Sequence, residues 1–330
     1  MGFETQDVER KVLSILKVLS DRQEPLGARI IAHRLKNYGI ELGERAVRYH
    51  LKLMDERGLT RLVGRDGRLI TEQGMEEVKS ALVKYKVGFA ISRIELLAFR
   101  TDFNTENRCG LIPVNVSFFP KEKFGKALQA MKPAFEAGLC VSDLVAAASE
   151  GEKLGEFIVP KGEMGLATVC SIVINGALLK AGVPMDSRFG GILQIRNHKP
   201  FRFVELIHYA GSSLDPSEVF IRARMTSVRE AAKRGEGRIL ANFREIPALC
   251  RGIAEKVVAE LKEAGLGGLL VMGNTSESVC EIPVELNRIG MILLGGMNPV
   301  AASEEAGVEA ENYGMSTVME YRDLIKFQEL

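Results

Sequence analysis

GLIPVNVSFFPKEKFGKALQAMKPAFEAG, residues 110–138, and GRILANFREIPALCRGIAEKVVAELKEAG, residues 237–265, read as one unit written twice. At a constant offset of 127, Ile112 meets Ile239, Asn115 meets Asn242, Pro120 meets Pro247, Gly125 meets Gly252, and Glu136-Ala137-Gly138 meets Glu263-Ala264-Gly265. In each copy an apolar run follows a glycine. A proline then opens a helix whose first turn can spare an amide hydrogen, and Ala-Gly closes that helix before the next apolar run. The order is strand, helix, strand. The helix stripes disagree, because Phe124, Leu128, Met131 and Phe135 align with Arg251, Glu255, Val258 and Lys262, so the second helix is expected to be rotated. A second match, at an offset of 99, pairs Val183-Pro184 with Ile282-Pro283, Gly191 with Gly290 and Pro200 with Pro299. The drop in offset implies that the later copy has lost about a helix and its loops. Two facing halves leave a crevice between them, where a small ligand usually sits.

The chain of 330 residues, 46% apolar and 26% charged with a net charge of +1, has the composition of an ordinary globular protein of two domains. So small a net charge recruits nucleic acid only through a local patch. Residues 1–14 lack an apolar segment with a cleavage site, and runs such as Gly290–Gly296 are far too short for a membrane span, so a cytoplasmic location without membrane contact is expected. Five cysteines, Cys109, Cys140, Cys170, Cys250 and Cys280, show no C-x-x-C spacing; buried thiols are expected in place of disulfides or a zinc site.

Residues 1–74 carry the local patch. Val12, Ile15, Leu16 and Leu19 mark one helix, and Ala28, Ile31, Ala32 and Leu35 a second that ends near Tyr38-Gly39. A third begins after Gly43. Its Val47, His50, Leu51 and Met54 form an apolar face, while Arg45, Arg48, Tyr49 and Lys52 form a cationic one. Gly58 stops it. A hairpin follows around Gly64-Arg65-Asp66-Gly67, where Asp-Gly tolerates the positive φ of a tight turn. Three helices and a hairpin bearing Arg61, Arg65 and Arg68 define a winged helix-turn-helix, whose third helix enters the major groove of DNA. Arg45 and Arg48 suit guanine O6 and N7, whereas Lys52, Arg61, Arg65 and Arg68 suit phosphates. Over residues 41–70 basic side chains outnumber acidic ones by seven to five, a small excess that leaves a protein-protein role open. His33 and His50 read as core or surface residues. Gln73-Gly74 ends the module, and residues 75–86 read as a linker whose helix carries Met75, Val78, Leu82 and Val83 on its apolar side. Such a helix either transmits a change of orientation or serves as a plain packing or dimerisation helix.

From residue 87 to 330 the runs IPVNVSFF, FIVP, CSIVI, GILQI, FVELI, GLLVM and MILLGG alternate with helix-like segments, giving the class α/β (α+β). No phosphate-binding loop, dinucleotide fingerprint, G-x-S-x-G or H-E-x-x-H is present. An enzyme using Cys170 or Cys280 as nucleophile is a competing reading without a sequence-near histidine to support it.

VINGALLKAGVPMDSRFGGILQI (173–195), SLDP (213–216) with Phe220-Ile221, GRILANFREIPA (237–248) and the closing IPVELNRIGMILLGGMNPVAASEEAG resemble the archaeal nitrogen-regulation repressor family, NrpR. The resemblance covers nearly the whole chain and fits the short form, one winged helix and one regulatory domain. It implies a homodimeric, non-enzymatic repressor on inverted-repeat operators of nitrogen-fixation and ammonia-assimilation genes, released by 2-oxoglutarate and requiring no cofactor. A second NrpR-type subunit and the basal transcription machinery are further expected partners. Two alternatives stay open: a regulator answering a different effector, and an accessory subunit that acts through the transcription machinery without reading DNA.

A dicarboxylic keto acid calls for arginines or exposed amides around its carboxylates. Arg188 in Ser187-Arg188-Phe189-Gly190-Gly191 is the first candidate and Arg244, beside Asn242, the second. His208, Ser212 and Ser213 are further donors, and Gly190, Gly191, Asn175-Gly176 and Gly295-Gly296 bring backbone close to a ligand.

Overall fold

In the computed structural model, which describes residues 2–20, 25–36, 40–80 and 88–330, the chain divides into two compact units, residues 1–92 and 93–330. The first holds α1 (Gly2–Ser20), α2 (Ala28–Lys36), α3 (Glu44–Glu56), the antiparallel pair β1 (Thr60–Val63) and β2 (Gly67–Ile70), and α4 (Glu72–Ser80). Its core is the predicted one: Val12, Ile15, Leu16 and Leu19 of α1 meet Ile31 and Leu35 of α2 and Val47, Leu51 and Met54 of α3. Gly58 ends α3 at φ 72°, and Leu26 bridges to Arg68 as a short third strand of the wing.

The end of the module differs from expectation. Gln73-Gly74 does not close it but lies inside α4, which packs on α1 through the core that includes Val78. Glycine is required at 74 because a Cβ there would stand 2.2 Å from the Leu59 carbonyl oxygen. The expected ends of the second helix, at Tyr38-Gly39, and of the linker, with Leu82 and Val83, lie outside the described residues.

Helix α5 (Phe89–Arg100) spans the unit boundary. The second unit then runs β3 (Leu111–Pro120), α6 (Phe124–Glu136), β4 (Leu144–Ser149), the hairpin β5 (Lys153–Leu154) and β6 (Phe157–Ile158), β7 (Glu163–Val169), α7 (Ile172–Lys180) and β8 (Asp186–Arg196). An intervening segment holds β9 (Lys199–His208), α8 (Pro216–Arg222) and α9 (Val228–Arg234). The repeat resumes with β10 (Gly237–Pro247), α10 (Arg251–Glu263), β11 (Leu269–Thr275), β12 (Arg288–Leu294), α11 (Asn298–Glu305), β13 (Glu311–Glu320) and β14 (Ile325–Lys326).

The duplication is present in three dimensions, and its offset is nearly constant. An offset of 127 carries α6 onto α10 from first residue to last, and the 3-10 turn Lys121–Lys123 onto Ala248–Cys250. An offset of 125 carries β7 onto β12, Ala181-Gly182-Val183 onto Ala306-Gly307-Val308, and β8 onto β13. Gly182 and Gly307 close their helices at φ 78° and 79°, the left-handed conformation that glycine adopts without Cβ strain.

The match at offset 99 is therefore not part of the repeat. It superposes β8 on β12, which flank β10 on opposite sides, and Pro200 in β9 on Pro299 in α11. The later copy has lost no helix; the earlier one is followed by the β9–α9 segment. Nor is α10 rotated relative to α6: Ala127 and Ala134 are buried and so are their counterparts Ala254 and Leu261. The run CSIVI is not a strand either. It enters α7, where Ile172, Val173, Ile174 and Asn175 are all buried, and a first turn enclosed on every side has no polar stripe to reveal its period.

The two copies exchange their last strands. One sheet has the order β13-β3-β7-β4-β14 and the other β11-β12-β10-β8-β9, with every pairing antiparallel. Thus β8, from the first copy, completes the sheet of the second, and β13, from the second, completes that of the first. The helices cross in the same way: α6 packs with α11 and α10 with α7. A single apolar core runs through both copies, from Val114, Val116 and Val173 to Leu240, Phe243 and Ile292.

Gly125 and Gly252, equivalent in the two copies, lie in α6 and α10 with nothing within 4 Å of an added Cβ. Each glycine costs helix stability and fills no close approach, so Gly125→Ala and Gly252→Ala are each expected to raise unfolding free energy by about 0.5–1 kcal/mol. Urea denaturation of the two variants measures this.

Candidate ligand pocket and nucleic-acid interface

The exposed side of α3 presents Arg45, Arg48, Tyr49 and Lys52, and the wing presents Arg61 and Arg65, all exposed to solvent. The buried side of the same helix holds Val47, His50, Leu51 and Met54, so the core fixes which way the cationic face points. Arg48 pairs with Glu44 one turn earlier, an exposed i, i+4 ion pair of small strength that a phosphate can displace. Arg68 is engaged differently. Its Nε donates to Asp55 at 2.7 Å, and Asp55 also accepts from Thr60, so Arg68 ties the wing to α3 and is not presented with the other arginines.

In the second unit the predicted residues separate. Arg188 stands at the surface end of β8, pairing with Glu285 at 2.7 Å, Asp186 at 3.2 Å and the buried Glu245 at 3.9 Å. Arg288 joins the same cluster through Asp186 and Glu245. Carboxylates already surround Arg188, so it is the structural ion-pair anchor of β8 and β12 and not an open anion site. Gly190 and Gly191 lie within β8, not in a turn. A Cβ at Gly190 would meet Pro216 at 2.8 Å and the Tyr209 hydroxyl at 2.9 Å, and one at Gly191 would meet the Glu205 carbonyl at 2.6 Å. His208 is exposed and stacks edge-on against Phe189. Ser212 caps its own loop by accepting from the Leu214 amide at 3.1 Å and donating to the Leu214 carbonyl at 2.7 Å. Ser213 lies in the same loop, and Asn175 is buried against Ser187.

Arg244 and Asn242 are the two that converge. They point from β10 into a small, partly open cavity of about 20 Å³ where the two copies meet, with room for about one water molecule. Its walls pair equivalent positions: Asn115 of β3 with Asn242 of β10, and Ser171-Ile172 at the start of α7 with Gly296-Met297 at the start of α11. Asn115 accepts from the Met315 amide in the bulge of β13, and Asn242 accepts from the Tyr209 hydroxyl and donates to Ser171. Tyr209, Asp215 and Ser217, from the segment between the copies, close the remaining side.

The pocket is symmetric in backbone and asymmetric in charge. The counterpart of Arg244 in the first copy is Ser117, so the cavity has one arginine from the repeat. Arg244 is only 1% exposed, its guanidinium lies 4.8 Å over the Tyr209 ring, and its Nε and Nη1 have no hydrogen-bond partner. Leaving two charged donors unpaired in the interior is costly. Nε and Nη1 thus offer donors on one wall of the cavity. Burial raises the Tyr209 hydroxyl to about 12, keeping it a neutral donor, and raises the Asp215 carboxyl above its ordinary range. It also lifts the Cys170 thiol to about 12, the direction opposite to that of a nucleophile. The Cys280 thiol is raised as well.

All five cysteines are free thiols. Among the described residues no group of His, Cys, Asp and Glu side chains could hold a metal ion, and no helix is long and apolar enough to cross a membrane.

Tyr209, Asp215, Ser217, Ser171 and Asn115 were not singled out as ligand residues from the sequence. A signal existed for Asn115, since the repeat aligns it with Asn242, and a buried asparagine kept in both copies marks the line where they meet.

A winged helix with an exposed cationic recognition face, joined to a separate α+β unit, defines a DNA-binding transcription regulator. Residues 87–326 match the family described as NrpR regulatory domains NRD1 and 2, and residues 13–78 match the ribonuclease R winged-helix domain. The chain is 42% identical over 317 residues to the global nitrogen regulator NrpRI of Methanosarcina mazei, covering 96% of this chain and 98% of that protein. It is 33% identical to the global nitrogen regulator NrpR of Methanococcus maripaludis over 91% of its own length but only 52% of the longer relative. The crystal structure of a nitrogen repressor-like protein from Methanococcus jannaschii superposes with a TM-score of 0.61 at 28% identity, covering 72% of this chain and 98% of that one. The chain belongs to the NrpR family of nitrogen regulators.

Proposed function

We propose that this regulator represses nitrogen-fixation and nitrogen-assimilation genes as a homodimer on operator DNA, and that 2-oxoglutarate releases it by occupying the pocket around Arg244. The observation that carries the reading is the buried guanidinium with two unpartnered nitrogens, enclosed by neutral donors from Asn115, Asn242, Ser171 and Tyr209. One carboxylate of the ligand takes the free donors of Arg244 in charge-assisted hydrogen bonds. The amides and hydroxyls answer the keto oxygen and the second carboxylate.

The cavity as it stands holds no five-carbon acid, so binding has to open it. Two of its walls are suited to the change. One is the segment 209–217, which closes the pocket from outside the repeat; the other is the bulge of β13, where Met315 takes φ 47°. Ligand that binds only the opened form shifts the population toward it, and moving a repressor from mostly bound to mostly released takes roughly 5 kcal/mol of differential affinity.

Fluorescence anisotropy of an inverted-repeat promoter fragment, titrated with 2-oxoglutarate and with glutarate and glutamate as controls, tests the reading. The expected result is release by 2-oxoglutarate alone, with an unaltered dose response in Arg188→Ala, whose guanidinium belongs to the ion-pair cluster. Release by none of the acids would remove 2-oxoglutarate as the direct effector. In the same assay without effector, affinity is expected to fall about 10³–10⁵-fold between 50 and 200 mM salt if the dimer contacts 6–10 phosphates. A flat salt series would remove direct DNA contact through Arg45, Arg48, Lys52, Arg61 and Arg65.

A further inference from the structure

Asp215 shares the pocket with Arg244, yet it is not the arginine's hydrogen-bond partner, since Nε and Nη1 remain open. The residue as a whole is partly buried, but its carboxyl is enclosed. Oδ1 accepts from the Ser217 amide at 2.6 Å as the N-cap of α8, and Oδ2 lies so close to Gly314 that a Cβ there would fall 2.0 Å from it. The charged groups that act on it are Arg244 from β10, Arg93 from α5 and Glu218 from α8. Arg93 is itself held by the Met315 and Ser316 carbonyls of the β13 bulge, and Glu218 accepts from the Gly314 amide at 2.8 Å. Asp215 thus balances the field of Arg244 from a distance, without covering its donors.

From this arrangement we infer that Asp215 is the residue that sets the effector threshold: it is an internal acid that must either oppose an incoming carboxylate or take up a proton before that carboxylate reaches Arg244. The inference rests on the pocket being the effector site. Two carboxylates in one small site repel, and the repulsion is worth a unit or more on a logarithmic affinity scale. The function of such a brake is to hold affinity down, so that the regulator answers a rise in an abundant metabolite and not its basal level. Nothing about the cap requires the charge, because asparagine caps a helix as well as aspartate does.

The test is isothermal titration calorimetry of 2-oxoglutarate into the full chain and its Asp215→Asn and Arg244→Gln variants, with melting temperatures measured alongside. Loss of binding in Arg244→Gln together with at least about tenfold tighter binding in Asp215→Asn supports the inference. A merely structural role for Asp215 would weaken binding, not strengthen it. Unchanged or weaker binding in Asp215→Asn, with Arg244→Gln inactive and both melting normally, overturns the inference and leaves the pocket in place. Wild-type binding in Arg244→Gln overturns the pocket itself. Should Asp215→Asn fail to fold, Asp215→Ser, which also caps, gives the same comparison.

Discussion

Arg244→Met is expected to raise the 2-oxoglutarate concentration needed to release operator DNA on the order of a hundredfold, because each charge-assisted hydrogen bond contributes roughly 1.5–3 kcal/mol. Methionine matches the length and much of the volume of the arginine stem, but removing Arg244 leaves the buried Asp215 carboxyl without one of its balancing charges, which costs stability. The melting temperature should therefore fall somewhat while the dose response moves to higher effector concentration. Operator affinity without effector should be unchanged, since Arg244 is enclosed in the second unit and the cationic face belongs to the first. Anisotropy titrations and a thermal melt on the same preparation check all three. A variant that keeps the wild-type dose response would place the ligand elsewhere in the fold.

The second large effect is structural. Gly296→Ala puts a Cβ 2.3 Å from the Val169 carbonyl and 2.6 Å from the Asn115 side-chain nitrogen. The first of these is backbone and has no rotamer to yield. A loss of more than about 3 kcal/mol is expected, large for a single methyl group and typical of overpacking at a rigid site. The counterpart of Gly296 in the first copy is Ser171, which carries a side chain without difficulty. A Cβ on Gly296 would also come within 3.2 Å of the Cys170 Cα, so the two equivalent loops pass each other here and only one of them has room for more than hydrogen. Urea unfolding of Gly296→Ala against Gly125→Ala separates the two cases, since one should fall and the other rise.

How far the sequence disclosed this molecule varies from element to element. The winged helix was readable because its helices are amphipathic: Val47, His50, Leu51 and Met54 alternate with cationic residues at helical spacing, and the buried set is the predicted one. The repeat was readable through its punctuation, since Pro120, Pro247, Gly138 and Gly265 do the same local work in both copies. What the sequence hid was partnership. Strand β8 shows the same apolar pattern whether it completes its own sheet or the other one. Gly191 and Gly290 then suggested a false register because both glycines relieve crowding beside β10 or its neighbours, against Phe203 and Phe243 respectively. The proposed ligand site followed the same rule. Arg188 and Arg244 are chemically identical letters, and only the fold surrounds one with Asp186, Glu245 and Glu285 while enclosing the other with open donors.

Strand exchange also has a consequence for the order in which the protein is made. Phe118 of β3 pairs with Glu311 of β13, so about two hundred residues separate neighbours in one sheet. During synthesis at roughly 5–20 residues per second, β3 leaves the ribosome many seconds before its partner exists. Neither sheet can be finished from one copy alone. The first copy must wait as an incomplete sheet with an open edge, exposed to aggregation, until the last strand of the second arrives to close it.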